Sequence, residues 1–226
     1  MSRRVLLSDA DGTLFDFAKG EAVAIAETLR RFGLPDDAQT IALYARANDA
    51  QWKKLERGET TPERVRVERF VDFLAQGGFE GDAEALCEDY VERLGRQRWV
   101  LPGAVALCRA VSARMPIYLV TNGIARVQRS RLRGCEIEPY LAGIVISEEV
   151  GAPKPDPRML LEALRRANCR PEEAILLGDS VTADIAAANR AGIPSILYTG
   201  GRPAPAKHGA TWTADTLEEA CQIILR

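Results

Sequence analysis

Apolar residues in this chain follow two rhythms. Five short runs, Arg3 to Ser8, Pro116 to Val120, Gly143 to Ile146, Ala174 to Leu177 and Pro194 to Tyr198, are nearly continuous in apolar character, and each stops at a polar turn. Runs of this length predict strands buried on both faces. The turns read Asp9-Ala10-Asp11-Gly12-Thr13, Thr121-Asn122-Gly123, Ser147-Glu148-Glu149, Gly178-Asp179-Ser180 and Thr199-Gly200-Gly201. The second rhythm, with apolar positions three and four apart, predicts helices over Gly103 to Met115, Ile124 to Arg133, Pro157 to Asn168, Val181 to Ala191 and Thr216 to Leu225. Strand and helix thus alternate. That order predicts an α/β fold, a doubly wound and mostly parallel Rossmann-like sheet that binds ligands beyond the carboxyl ends of its strands, where the polar turns collect.

The stretch from Phe15 to Arg98 breaks the alternation. It holds no convincing strand and reads as several helices separated at Gly33-Leu34-Pro35, Arg57-Gly58 and Gln76-Gly77-Gly78. We therefore expect a core domain of residues 1–14 and 99–226 and an all-helical insertion over 15–98. The insertion begins two residues after Thr13, so it is expected to enter beside the crevice.

Composition narrows the chemistry. At 226 residues the chain can bury one α/β core and one modest extra module. A net charge of −2 gives no general attraction to nucleic acid, so an anionic ligand needs a local site. No apolar run approaches the roughly 20 residues of a membrane span. The amino end, Met1-Ser2-Arg3-Arg4, leads into only a few apolar residues before Asp9, so a cytoplasmic protein with no membrane partner is expected. Five cysteines (Cys87, Cys108, Cys135, Cys169, Cys221) are widely spaced and read as free thiols. A single histidine, His208, argues against histidine pairs, a Ser-His-Asp triad and multi-histidine metal centres. The chemistry falls to carboxylates.

Asp9 and Asp11 flank one small residue at a strand end. Carboxylates held that close repel, so they call for a cation or for separate roles as nucleophile and proton carrier. An ordinary solvated turn has the same composition. The other strand ends favour chemistry: the Thr121 hydroxyl can donate to a phosphoryl oxygen and the Lys154 ammonium can neutralise one, while Asp179 and Asp184 can complete an oxygen-rich magnesium site. Each also has a structural reading, such as Asp179 capping the helix that starts near Ser180. Cys108 and Arg114 show the spacing of a cysteine-dependent phosphatase, but they lie in a glycine-free helical stretch that cannot wrap a phosphate.

Taken together, these segments resemble the haloacid dehalogenase-like superfamily of phosphatases across essentially the whole chain. Asp9-Ala10-Asp11-Gly12-Thr13 is similar to its first motif, Thr121-Asn122-Gly123 to its second, Lys154-Pro155 to its third, and Gly178-Asp179-Ser180-x-x-x-Asp184 to its fourth. The resemblance implies Asp9 as nucleophile and Asp11 as general acid/base, with Thr121, Asn122 and Lys154 holding the phosphoryl group. It implies Mg2+ bound by Asp9, the backbone carbonyl of Asp11 and Asp179, with Asp184 close by or behind a water. The insertion matches the family's small helical cap in position. Asp11 separates phosphatases from the dehalogenating members, which lack an acid there, because an alkoxide leaving group needs a proton and a halide does not.

Substrate choice then falls to the insertion. Asn48-x-x-x-Trp52, Gly58-x-x-Thr61 and Arg69-Phe70, together with Asp9-Ala10-Asp11-x-Thr13-Leu14-Phe15 and Ile146 to Gly151, resemble the bacterial pyrimidine 5′-nucleotidase branch. That resemblance implies a nucleoside 5′-monophosphate as the small-molecule partner and makes Asn48 and Trp52 candidate specificity residues. Gly12 departs from the branch, which can carry an acid at that position. Trp52 reads either as a base-stacking platform or as a buried helix residue. A sugar-phosphate phosphatase, a mutase similar to β-phosphoglucomutase, and a phosphoglycolate phosphatase share the same four motifs.

Overall fold

The computed structural model describes residues 3–226, so Met1 and Ser2 of the amino-terminal run lie outside the described residues. Strand β1 (Val5–Ser8) is followed by helices α1 (Phe17–Arg31), α2 (Ala38–Glu56), α3 (Pro62–Gly77) and α4 (Ala83–Leu94). Alternation then begins with α5 (Ala104–Ser112), β2 (Ile117–Thr121), α6 (Ala125–Leu132), β3 (Gly143–Ile146), α7 (Ser147–Val150), α8 (Arg158–Ala167) and β4 (Ala174–Gly178). A π-helical turn (Val181–Ile185) runs into α9 (Ala186–Ala191), and β5 (Ser195–Tyr198), β6 (Trp212–Ala214) and α10 (Leu217–Leu225) complete the chain. Contacts divide it into two compact units. The first comprises the chain through Asp16 with Trp99–Ala125 and Leu132–Arg226, and the second Phe17–Arg98 with Arg126–Arg131.

In the first unit the strands form one sheet, ordered β3-β2-β1-β4-β5-β6, with every pairing between these six strands parallel. Alternate residues of each strand enter different cores, as the two-residue period of a strand requires. Leu6, Ile117, Leu119, Ile175, Leu177 and Ile196 pack with Leu107 and Val111 of α5 and Leu217 and Ile224 of α10. Val5, Leu7, Val120, Val145 and Leu176 pack with Met159, Leu160 and Ala163 of α8 and Ala187 of α9. Both faces are thus covered, which explains the nearly continuous apolar runs. Strand β6 has no such run: it is three residues long and is defined by pairing with β5, Trp212 opposite Ile196.

The chain steps from β1 outward to β2 and β3, then returns to the other side of β1 as β4. This reversal is a topological switch point, where a crevice opens at the carboxyl ends of the strands. Ser8 pairs with Leu177, and the Asp9 amide donates to the Leu177 carbonyl at 2.8 Å, so Asp9 lies level with the end of β4.

The second unit is helical. Helices α2, α3 and α4 start where side chains satisfy the free amides of the first turn: Asp37 accepts from Gln39 and Thr40, Thr61 from Arg64, and Asp82 from Glu84 and Ala85. Its core centres on Tyr44, Phe70 and Tyr90, with ring centroids 5.0 to 5.6 Å apart. Cys108 is buried inside α5, as expected of a helix cysteine, and the five cysteines are free thiols. No helix among the described residues is long and apolar enough to cross a membrane.

Candidate active site

The turn after β1 is wound tightly, the Ala10 carbonyl accepting from Leu14 at 3.0 Å and Phe15 at 2.8 Å. It brings Asp9 against the end of β4 and the π-helical turn beyond it. There the Ser180 carbonyl accepts from both the Asp184 and Ile185 amides, at 3.0 and 3.1 Å, and this extra-wide turn aims Asp184 back at the sheet. One carboxylate oxygen each from Asp9, Asp179 and Asp184 lies within 4.8 Å of the others. Two glycines make that approach sterically feasible. A Cβ on Gly178 would stand 2.5 Å from Asp184, and one on Gly12, whose φ is +86°, would stand 2.6 Å from Asp179 Oδ2.

Lys154 is the cation of the cluster. Its Nζ donates to Asp9 Oδ1 and Asp184 Oδ1, each at 2.6 Å, and to the Val120 carbonyl at 2.7 Å. It is 2% exposed, while Asp9 is 6% and Asp184 1%. Burial pushes the Asp9 carboxyl well above the usual carboxylate range; Lys154 opposes the shift, and Asp184 and Asp179 reinforce it. Asp179 is pushed up to about 6, by burial first and then by Asp184. Burial works against the charge of Lys154, yet Asp184 and Asp9 outweigh it and hold its pKa above the usual lysine value. Three carboxylates thus face one ammonium. Donors that are all oxygen, crowded and short of positive charge fit a hard divalent cation such as Mg2+.

The remaining sequence candidates take distinct places. Asp11 is half-buried in the turn, and its carboxylate is not among the three that converge. Thr121 ends β2, where its hydroxyl accepts from the Gly123 amide at 3.1 Å and retains its own proton for donation. Asn122, expected at the phosphate, directs its side-chain amide to Lys154: it donates to the Lys154 carbonyl at 2.9 Å and accepts from the Lys154 amide at 2.7 Å. Asp179 is not a helix cap; that part falls to Ser180, whose hydroxyl accepts from Ala183. Two contributors lay outside the sequence candidates. Thr13 donates to Asp179 Oδ1 at 3.2 Å, and Arg202 reaches Asp179 Oδ2 at 3.9 Å. Thr13 lies within the first motif, whereas Arg202 sits in a Gly- and Pro-rich loop with no pattern to single it out.

Asn48 and Trp52 belong to α2 of the helical unit. Asn48 is 3% exposed; its Oδ1 accepts from Trp52 Nε1 and Arg69 Nη1, both at 3.1 Å, and its Nδ2 donates to Glu21 at 2.7 Å. Trp52 is half-buried. Asn48 therefore joins α1, α2 and α3, and its contact with the indole N–H fixes the Trp52 ring.

A family model of haloacid dehalogenase-like hydrolases matches residues 4–192. The pyrimidine 5′-nucleotidase PynA of Streptococcus pneumoniae is 34% identical over 201 residues, covering 88% of this chain and 84% of PynA. The pyrimidine 5′-nucleotidase YjjG of Escherichia coli is 28% identical over 220 residues, covering 96% of each chain. In fold, the chain is similar to YfnB of Bacillus subtilis in a magnesium-bound orthorhombic crystal form, with a TM-score of 0.91, 29% identity and 99% of each chain covered.

Proposed function

The chain belongs to the haloacid dehalogenase-like hydrolases, and on that premise we propose that it is a magnesium-dependent phosphomonoesterase that forms an aspartyl-phosphate on Asp9 and acts on pyrimidine nucleoside 5′-monophosphates. The observation that carries the reading is the buried Asp9 carboxylate at a strand tip, with Lys154 Nζ 2.6 Å from one of its oxygens. Asp9, Asp179 and Asp184, with the backbone carbonyl of Asp11, would hold the magnesium, which when bound supplies positive charge to the phosphoryl oxygens. The Asp9 carboxylate attacks phosphorus, Asp11 protonates the departing oxygen, and Asp11 then takes a proton from the water that cleaves the acyl phosphate. Lys154 and the Thr121 hydroxyl stabilise the charge on the transferring group. Asn122 holds the Lys154 backbone in place.

The nucleotide preference is supported by the likeness, over most of both chains, to two pyrimidine 5′-nucleotidases. Asn48 and Trp52 are the proposed specificity residues of the helical unit. The test is release of inorganic phosphate from a panel of UMP, dUMP, dTMP, sugar phosphates and phosphoglycolate with magnesium, beside an Asp9→Asn variant. The pyrimidine nucleotides should lead in kcat/KM, and the variant should be inactive on all of them. Isomer formation without phosphate release would point to a mutase instead.

A further inference from the structure

Arg202 is 73% exposed, yet its position is built. Thr199 ends β5 and is fastened to β6 by its amide, which donates to Ala214 at 3.0 Å, and by its hydroxyl, which donates to Asp215 at 2.5 Å. The chain then turns back through Gly200 and Gly201, so that the backbone amide of Arg202 at 3.2 Å and its Nε at 3.1 Å both donate to the Thr199 carbonyl. This turn holds the guanidinium by its Nε and leaves Nη2 to reach Asp179. Because β5 pairs with β4, Leu197 opposite Gly178, the residues just beyond Leu197 stand beside Asp179. Arg202 Nη2 comes to 3.9 Å from Asp179 Oδ2, while Oδ1 is taken by Thr13 at 3.2 Å.

We propose that Arg202 is a counter-cation which magnesium must displace from Asp179, so that this one loop residue lowers the metal affinity of the site. The inference rests on the reading of Asp9, Asp179 and Asp184 as the magnesium ligands. A positive charge this close to a ligand carboxylate stabilises the metal-free site and repels the incoming ion. Both effects weaken binding, and both are Coulombic. They act near the surface, so they are modest and depend on salt.

Calorimetric titration of the full chain with MgCl2, without substrate, tests the proposal. At low ionic strength Arg202→Gln should bind Mg2+ about three- to tenfold more tightly than the parent, the range expected of one partly screened charge. Arg202→Glu should bind more tightly still, and Arg202→Lys should stay near the parent. At about 1 M salt, where screening reaches only ~3 Å, the differences should collapse. Equal or weaker binding by Arg202→Gln overturns the proposal, as does a difference that persists undiminished in salt. A parent protein that takes up no magnesium overturns the metal-site reading itself, whereas a parent that binds alongside an unimproved Arg202→Gln overturns this inference alone.

Discussion

Lys154 donates to Asp184 at 2.6 Å with both side chains buried, 2% and 1% exposed. The same ammonium holds Asp9 at 2.6 Å, so two carboxylates from different segments depend on one lysine for their charge balance. Removing one member of a buried ion pair leaves the other uncompensated, at a cost of about 3–5 kcal/mol. Lys154→Met should therefore lose activity and also unfold at lower denaturant in the absence of metal. Added magnesium should recover more stability in the variant than in the parent, because it compensates the unpaired carboxylate charge. Urea titrations with and without MgCl2 check this, and an unchanged midpoint for Lys154→Met without metal would contradict it.

Asp11 is the proposed proton carrier, and its carboxylate is not among the three that converge. Asp11→Asn should lower kcat on alkyl phosphates by about 10²–10⁴-fold, the usual contribution of a positioned acid or base. Aryl esters leave without full protonation, so the loss on p-nitrophenyl phosphate should be smaller. Steady-state kinetics on the two ester classes decide it, and an equal loss on both counts against the assignment.

Magnesium removal should silence the enzyme. Without a divalent ion, Asp9, Asp179 and Asp184 repel both one another and a phosphate dianion, opposed by Lys154 and, at the exposed edge beside Asp179, by Arg202. Chelator should abolish phosphate release, added magnesium should restore it, and the melting temperature should rise with metal concentration. Full turnover in chelator would exclude the proposed mechanism.

Much of this site was legible because its parts follow from local pattern. Asp9, Thr121 and Asp179 each sit just where an apolar run ends, and an alternating fold delivers such ends to one edge. Arg202 had no such signal: its place depends on Thr199 being pinned to β6, itself a three-residue strand visible only through its pairing with β5. The π-helical turn was hidden as well. Residues Val181 to Ala191 carry an ordinary helical period, and only the Ser180 carbonyl taking two amides reveals the extra residue that directs Asp184 to Lys154. The role of Asn122 toward Lys154 joins residues 32 apart, a distance that spacing within one motif cannot show.

Asp89 of α4 offers a pH signature within the helical unit. Burial alone would raise its pKa, but Arg93, Thr28 and Arg31 outweigh that and hold it below the usual carboxylate value. Its partners are Arg93 Nε at 2.5 Å, Arg31 Nη1 at 2.7 Å and the Thr28 hydroxyl at 3.0 Å. A carboxyl whose folded pKa lies below its unfolded value of about 3.9 contributes stability that is fully present above that value. The contribution is lost as pH falls through the folded pKa. Asp89→Asn should thus be less stable than the parent at pH 7, by about 2 kcal/mol for hydrogen bonds to a charged group. The gap should narrow below about pH 4. Denaturant titrations of both proteins from pH 7 to pH 3 measure it, and a gap independent of pH would show that Asp89 acts through packing rather than charge.

Trp52 can be separated from Asn48 because the two contribute differently. Asn48 has both side-chain amide atoms engaged, with Glu21, Trp52 and Arg69, and Arg69 is a buried cation that donates to Asn48 Oδ1. Asn48→Ala leaves Arg69 and the Trp52 N–H short of an acceptor, so it should lower the stability of the protein by about 1–3 kcal/mol. Trp52→Phe keeps an aromatic face while giving up only the bond to Asn48, and Trp52→Ala removes the face as well. If Trp52 selects nucleotides through that face, Trp52→Ala should reduce kcat/KM for UMP about tenfold or more, consistent with the ~1–3 kcal/mol of a base stacked on an aromatic ring. Trp52→Phe should retain most of it, and p-nitrophenyl phosphate should be hydrolysed at near-parent rates by both. A purely structural Trp52 predicts the opposite pattern, with UMP and p-nitrophenyl phosphate falling together in proportion to lost stability. Measuring both substrates on both variants, at a temperature where each remains folded, distinguishes the two, and parallel losses would remove Trp52 from the specificity residues while leaving the chemistry at Asp9 untouched.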